Sequence, residues 1–374
     1  MSIANLKFEK FKMTAIKFIF KSSVSIPQKL NHFKFILYEA KLFYMAEVEG
    51  IDGRTIAEHK EKLDKVSKEI SKLIVGQKDV INGLFLGLLS NGHVLVEGVP
   101  GIAKTLLIRT LAKATGCDFK RIQFTVDLLP TDITGITAYH KDKGFYVVKG
   151  PIFTNFILAD EINRAPPKTQ SALLEAMGER QVTIGKETFQ LPNPFFVMAT
   201  QNPIESAGTY PLPEAQIDRF LLKLYMGYPS SEEEMKILKQ NINLYKFEDF
   251  GIKAVITPQD IIKMQEDVKK IYVNPKVEKY CVNIVDATRN PKKYDIKLGK
   301  YIELGSSPRA SIGLYIVSKA NALLHGKNFV IPDFVKEIAH PVLRHRIILN
   351  YEGVAEGIKT DDIIKEILEK VPVP

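Results

Sequence analysis

The stretch Val94-Leu-Val-Glu-Gly-Val-Pro-Gly-Ile-Ala-Lys-Thr105 decides the fold. A short apolar run breaks into Gly98, Val99, Pro100, Gly101 and Ile102, then reaches Ala103, Lys104 and Thr105 as helix-forming residues begin. A strand that ends in a glycine loop and enters a helix leaves several backbone amides aimed at one point. The helix dipole adds positive potential there, so the point is a ready phosphate site. In such a loop Lys104 reaches the β- and γ-phosphates and the Thr105 hydroxyl ligates Mg²⁺. The usual pattern has glycine directly before the lysine, and here Ala103 stands in its place, at slight cost if its φ is helical. Taken alone, the stretch has a plainer alternative, a structural Gly-Pro-Gly turn before a helix.

A second element lies 56 residues beyond Lys104. Phe156-Ile-Leu-Ala-Asp-Glu161 is an apolar run of strand length ending in two acids. Two carboxylates at the mouth of a buried strand are costly unless a cation or a partner uses them. Asp160 is expected in the Mg²⁺ shell, and Glu161 is expected to polarise the water that attacks the γ-phosphate. An isolated Asp-Glu pair is as often an ordinary surface pair, but its place after the phosphate loop favours chemistry. The two elements together predict a nucleoside triphosphatase that uses ATP and Mg²⁺.

Length and charge bound the alternatives. The 374 residues are 45% hydrophobic, enough for more than one domain. Of the net +9, the eight Lys and two Glu of residues 1–44 supply +6, leaving +3 on the other 330 residues. The basicity is therefore mostly a tail, and nucleic-acid binding by the folded part is not implied. Cys117 and Cys281 stand in no ligand spacing, and the seven histidines form no metal signature. The longest uncharged run, Val80 to Val96, is broken by Ser90-Asn91-Gly92-His93, so no membrane span is expected. No secretory signal is recognisable either, and a cytoplasmic location follows as an expectation. Residues 1–44 read as a basic aromatic extension: a membrane-surface helix, or spurious translation upstream of a start at Met45.

Strands alternate with helices along the middle of the chain. Val94 to Glu97, Arg121 to Phe124, Phe156 to Asp160, Phe195 to Thr200 and Leu221 to Leu224 read as strands. Helices precede them at Arg54 to Leu73 and Lys78 to Leu89. The pattern is an α/β fold, a parallel sheet flanked by helices with ligands at the carboxyl strand ends. After Tyr228-Pro229-Ser230 only helical patterns remain, from Ser231 to Lys370. The expected organisation is an α/β core over 45–230, a linker helix region over 231–254 and an all-helical lid over 255–374. Two β-like interruptions stand out, Asp127 to Gly150 and Gln181 to Pro192. They are either surface decoration or loops that touch a substrate.

Assembled, these residues resemble the AAA+ ATPases, and most closely the MoxR family in the branch with a helix-2 insert. The resemblance covers roughly residues 55–350. It rests on Gly98–Thr105, Ala159–Gln170, Ala199-Thr-Gln-Asn-Pro203, Leu212–Phe220 and Ser307-Pro-Arg-Ala310. Ala103 before the lysine is itself the form found in MoxR-like loops. The resemblance implies that Asn202, at a strand end, orients the attacking water as sensor 1, although a strand-ending Asn is by default a turn former. Arg219 matches the arginine finger that serves a neighbouring subunit; its plainer alternative is an intrachain pair with Asp218 or Glu214. Arg309, on the first turn of a lid helix capped by Ser307, matches sensor 2, acting within the subunit or on a neighbour. Val75, Gly76 and Gln77 match the adenine-side motif. Gln123 is a weaker candidate for a polar partner restraining Glu161.

The resemblance further implies a homo-oligomer, a hexameric ring, that remodels or activates protein clients. Proteins with von Willebrand factor A domains are among the implied partners. A nucleic-acid motor or clamp loader is the rival, disfavoured by the core's modest charge. A nucleotide-gated assembly module is a third reading, disfavoured by the presence of Glu161, Asn202 and Arg219.

Overall fold

Alternate residues of a strand point to opposite faces, so a strand apolar at every position must be covered on both sides. The run Phe156–Ala159 and its neighbours are such strands, and they form the centre of a layered α/β structure. The computed structural model describes residues 50–99, 101–142, 144–202, 208–240 and 247–374. The 1–44 extension and the Met45 start, Pro100 of the phosphate loop, and residues 241–246 of the linker lie outside the described residues.

The chain runs through α1 (Gly53–Ser71), α2 (Lys78–Leu89), β1 (Val94–Gly98), α3 (Lys104–Ala114) and β2 (Phe119–Gln123). Next come α4 (Pro130–Thr134), β3 (Gly135–His140), β4 (Gly144–Lys149) and β5 (Phe156–Asp160). They are followed by α5 (Pro167–Glu179), β6 (Gln181–Ile184), β7 (Glu187–Gln190), β8 (Phe196–Gln201), α6 (Glu214–Ile217) and β9 (Leu222–Met226). Beyond lie α7 (Ser231–Gln240), α8 (Pro258–Lys269), β10 (Tyr272–Val273), α9 (Pro275–Arg289) and β11 (Ile302–Leu304). The chain ends with α10 (Pro308–Leu324), β12 (Phe329–Val330), α11 (Pro332–Leu343), β13 (Ile348–Leu349), α12 (Tyr351–Ala355) and α13 (Thr360–Lys370).

The central sheet is parallel, in the order β2-β5-β8-β1-β9. All five carboxyl ends therefore lie on one edge of the sheet. The period of two divides the core. Val94, Val96, Phe156, Leu158, Phe196 and Met198 pack with α1, α2, α3 and the lid helices. Leu95, Ile157, Ala159, Val197 and Ala199 face α5. The first of these clusters runs on without a break into Val317 of α10 and Val342 of α11. Among the described residues, no helix is long and apolar enough to cross a membrane.

Both interruptions are antiparallel hairpins. In β3–β4, Tyr139 pairs with Phe145 and Ile136 with Val148; all four side chains are exposed. The β6–β7 turn is made at Gly185, whose φ of 63° suits glycine. One expectation needs correction: the lid is helical but contains strands. β10 pairs with β12 in parallel, and β11 pairs with β13 antiparallel. Ladders of two or three residues have no readable period, because loops closing against each other make them.

Candidate active site

The phosphate loop sits where β1 runs into α3. Its Lys104 ammonium donates to the Gly98 carbonyl. Partial burial lowers the pKa of this lysine, and the nearby Asp160 and Glu161 carboxylates pull it back up. Both carboxylates thus act on a lysine that lies 56 and 57 positions before them in sequence. Gly101 has φ 82°, a left-handed conformation that suits glycine, with open space where a Cβ would stand. Ala103 does not have the helical φ at which its cost would be slight: it caps α3 in the left-handed region, at φ 63° and ψ 27°. A residue with a Cβ pays roughly 1–2 kcal/mol for that conformation.

Glu161 is likewise left-handed, at φ 56° and ψ 51°. The bend takes its carboxylate off the line of β5. Four groups then fix the acid pair. Gln123 Nε2 donates to Glu161 Oε2 at 2.9 Å, and Arg164 Nε stands 3.1 Å from the same oxygen. The Thr200 hydroxyl donates to Asp160 Oδ1 at 2.7 Å and accepts the Glu161 amide at 2.8 Å. Arg121 holds Asp160 Oδ2 with Nε and Nη2, at 3.0 and 2.7 Å. Gln123 thus lies where its weak sequence signal suggested, and Arg164 gains a partner. Thr200 and Arg121 were missed. A Thr in a strand and an Arg on an edge strand look ordinary until the parallel pairing of β2, β5 and β8 brings them beside the acids. Asn202 follows β8, which lies between β5 and β1, and it is 6% exposed. Phosphate loop, acids and Asn202 share one edge of the sheet.

Val75, Gly76 and Gln77 lie next to this edge. Val75 and Gly76 line an open cleft of about 570 Å³ with Ile74, Ile81 and Lys236. Gln77, left-handed at φ 55°, caps α2, and its Nε2 donates to the Gly227 carbonyl at 2.9 Å. Gly76 suits its φ of 70°, and a Cβ there would meet the Glu233 carboxylate of α7, which would have to swing aside.

Arg219 and Arg309 stand apart from all of this. Leu221 donates its amide to the His93 carbonyl, just before β1 begins, so Arg219 lies at the amino edge of the sheet. The length of β1, five residues, separates it from the phosphate loop, about 16 Å at ~3.3 Å per residue. The Arg219 side chain is exposed and its Nη1 donates to the Leu174 carbonyl at 2.9 Å. Neither Asp218 nor Glu214 is its partner. The Asp218 carboxylate is taken by Arg346 at 2.7 Å, by Ser307 Oγ at 3.0 Å and by Arg309 at 3.4 Å. An open pocket of about 520 Å³ collects Arg180, Arg219, Arg309 and Arg346. The chain's candidate site residues therefore form two groups at opposite edges of one sheet.

A parallel sheet with a phosphate loop after β1, an acid pair after β5 and a helical lid defines an ATPase of the AAA+ class. The profile of the ATPase family associated with various cellular activities (AAA) matches residues 93–222, and that of the AAA lid domain matches residues 299–367. The chain is 47% identical to the uncharacterized protein YeaC of Bacillus subtilis over 313 residues, 83% of this chain and 95% of that one. It is 44% identical to the chaperone MoxR1 of Mycobacterium tuberculosis over 334 residues, 87% of this chain and 85% of that one. A crystal structure from Cytophaga hutchinsonii, described there as a candidate ATPase, matches with TM-score 0.80 and 47% identity. The match covers 86% of this chain and 97% of that one. The chain belongs to the MoxR family of AAA+ ATPases.

Proposed function

We propose that the chain hydrolyses ATP in a head-to-tail ring and uses the cycle to remodel protein clients. In this reading Lys104 and the loop amides bind the β- and γ-phosphates, with Val75, Gly76 and Gln77 against the adenine. The oxygen donors of Thr105 and Asp160 suit Mg²⁺, a hard cation, and would hold it. Bound there, Mg²⁺ neutralises charge between the phosphate oxygens. Glu161 polarises the attacking water, Asn202 orients it, and Gln123 restrains Glu161 until substrate is in place. Burial of Lys104 beside the two acids supports this set, since charge acts more strongly away from water.

One observation carries the ring: Arg219 and Arg309 lie exposed at the sheet edge opposite Lys104 and Glu161. Neither reaches its own phosphate loop, so each is assigned to a neighbour's γ-phosphate, where a guanidinium offsets the transition-state charge. This assigns Arg309 in trans. A contact between two different faces closes into a ring when the rotation permits, and a hexamer is the proposed size. The client role rests on the chaperone name of the Mycobacterium relative. The exposed Tyr139 and Phe145 of the β3–β4 hairpin suit contact with apolar segments of a client. Partners with von Willebrand factor A domains and a cytoplasmic setting remain part of the proposal.

Mixing inactive Arg219→Ala with inactive Lys104→Ala tests the ring. Some interfaces then join an intact site to an intact finger, so activity should return to a fraction of wild type. Activity that stays at background, in assemblies with demonstrated subunit exchange, rejects the trans assignment.

A further inference from the structure

We propose that Arg346 of the lid is the positioning residue for Arg219, so that each subunit's lid sets the finger it offers to its neighbour. The proposal rests on the trans reading of Arg219 given above. Arg346 follows α11, and its side chain is 3% exposed. Its guanidinium surrounds the finger-bearing turn. Nε donates to Asp218 Oδ1 at 2.7 Å, and Nη2 donates to the carbonyls of Phe220 at 2.7 Å and Asp218 at 3.3 Å. Nη1 donates to the Leu221 carbonyl at 3.1 Å and to that of Val342, in the lid helix just before it. The carbonyls on either side of Arg219 are thus held by one planar group.

Neighbouring residues extend the clamp. His345 Nε2 lies 2.9 Å from the Phe220 carbonyl, and Arg344 Nη1 donates to the Lys223 carbonyl at 3.4 Å. The finger itself is left out of the clamp: Arg346 makes no hydrogen bond to the Arg219 side chain, which stays exposed at the pocket. Asp218 serves both arginine groups. One oxygen takes the buried Arg346, and the other takes Ser307 and Arg309 on the pocket side. The spacing between Arg219 and Arg309 is therefore referred to a single carboxylate that Arg346 fixes.

Burying a guanidinium is expensive, and its removal would leave the Asp218 carboxylate and several carbonyls without donors. Lysine could not substitute, because its ammonium is a point donor and cannot span carbonyls from residue 218 to residue 221. Sheet packing alone does not call for this arrangement, since an apolar residue would fill the space. What the guanidinium adds is a rigid tie between lid and finger. A lid that shifts moves carbonyls 218 to 221 with it, and the finger follows. A displacement of about 1 Å at a catalytic group costs on the order of 10²-fold in rate.

The test uses full-length Arg346→Lys and, in case that variant folds poorly, Asp218→Asn. Each homogeneous assembly should lose roughly 10²-fold in turnover while binding nucleotide within twofold of wild type, because the phosphate loop lies at the other sheet edge. Complementation then separates a finger defect from a folding defect. Mixed with Lys104→Ala, which supplies an intact finger, each variant should regain as much activity as the Arg219→Ala and Lys104→Ala mixture. Mixed with Arg219→Ala, each should stay at background. Restoration by Arg219→Ala would show that the variant's finger still works and would overturn the proposal. So would failure with Lys104→Ala while the Arg219→Ala control recovers. If that control also fails, the trans reading falls and takes this inference with it.

Discussion

At the scale of single residues, left-handed non-glycines mark the site. Ala103 and Glu161 both hold φ near 60°, in a region that costs a residue with a Cβ roughly 1–2 kcal/mol. For Glu161 the bend brings the carboxylate to Gln123 and Arg164, and the role proposed for Glu161 needs that carboxylate, so glycine could not replace it. At Ala103 the side chain has no such task. Ala103→Gly should relieve the strain and give back about 0.4–1 kcal/mol through a freer unfolded chain. The net expectation is a gain of about 0.5–1 kcal/mol, read by urea unfolding. A loss of stability would mean that the methyl group packs usefully. The meeting of Lys104 with Asp160 and Glu161 was legible because each motif is continuous in sequence. Thr200 and Arg346 were not, since their partners lie 40 and 128 positions away and only the assembled sheet and lid bring them together.

Elements were legible where a period or a cap marks them. Ser307 caps α10 as expected, accepting the Arg309 amide at 3.2 Å, and Gly326 with φ 69° follows its last turn. The hairpins were visible as alternation around glycine, whereas the short lid ladders offered no pattern. Helix α5 carries a prediction. Gly178 lies in its last turn, exposed, and a Cβ there would come within 3.3 Å of Arg219 Nη1. Glycine in a helix costs up to about 1 kcal/mol relative to alanine. Its presence here keeps room for the Arg219 side chain against the Leu174 carbonyl. Gly178→Ala should therefore raise stability by about 0.5–1 kcal/mol and lower turnover at unchanged nucleotide affinity. Thermal unfolding and steady-state hydrolysis measure the two effects. If both rise together, the space at Gly178 does not serve Arg219.

In the whole molecule, core and lid are joined at the amino edge of the sheet, and two histidines take part in that junction, His93 buried and His345 half-buried. His93, just before β1, accepts the Val197 amide at Nδ1 (3.1 Å), and its Nε2 lies 3.3 Å from the Met177 carbonyl. Its ring must therefore be neutral with the proton on Nε2. His345 likewise faces the Phe220 carbonyl with Nε2, and its buried Nδ1 has no partner for a second proton. Burial holds both pKa values well below the usual 6.5, helped by Arg180 at His93 and by Arg346, Lys223 and Arg344 at His345. The sign follows from linkage. Above the unfolded pKa of about 6.5 neither state binds the proton, and stability does not vary on this account. Below it the unfolded chain takes up protons that the folded chain refuses, so stability falls with falling pH. Between pH 7.5 and 5.5 each histidine should cost about 1.4 kcal/mol. Carboxylates contribute little in that window: Asp260, for instance, is held at about 2 by its hydrogen bond to Lys62. Unfolding by urea at the two pH values should reveal the loss, and His345→Gln should halve it. A stability that is flat from 7.5 to 5.5 would mean that the junction opens enough to hydrate its histidines, and that the lid is not fixed to the finger as tightly as the Arg346 clamp requires.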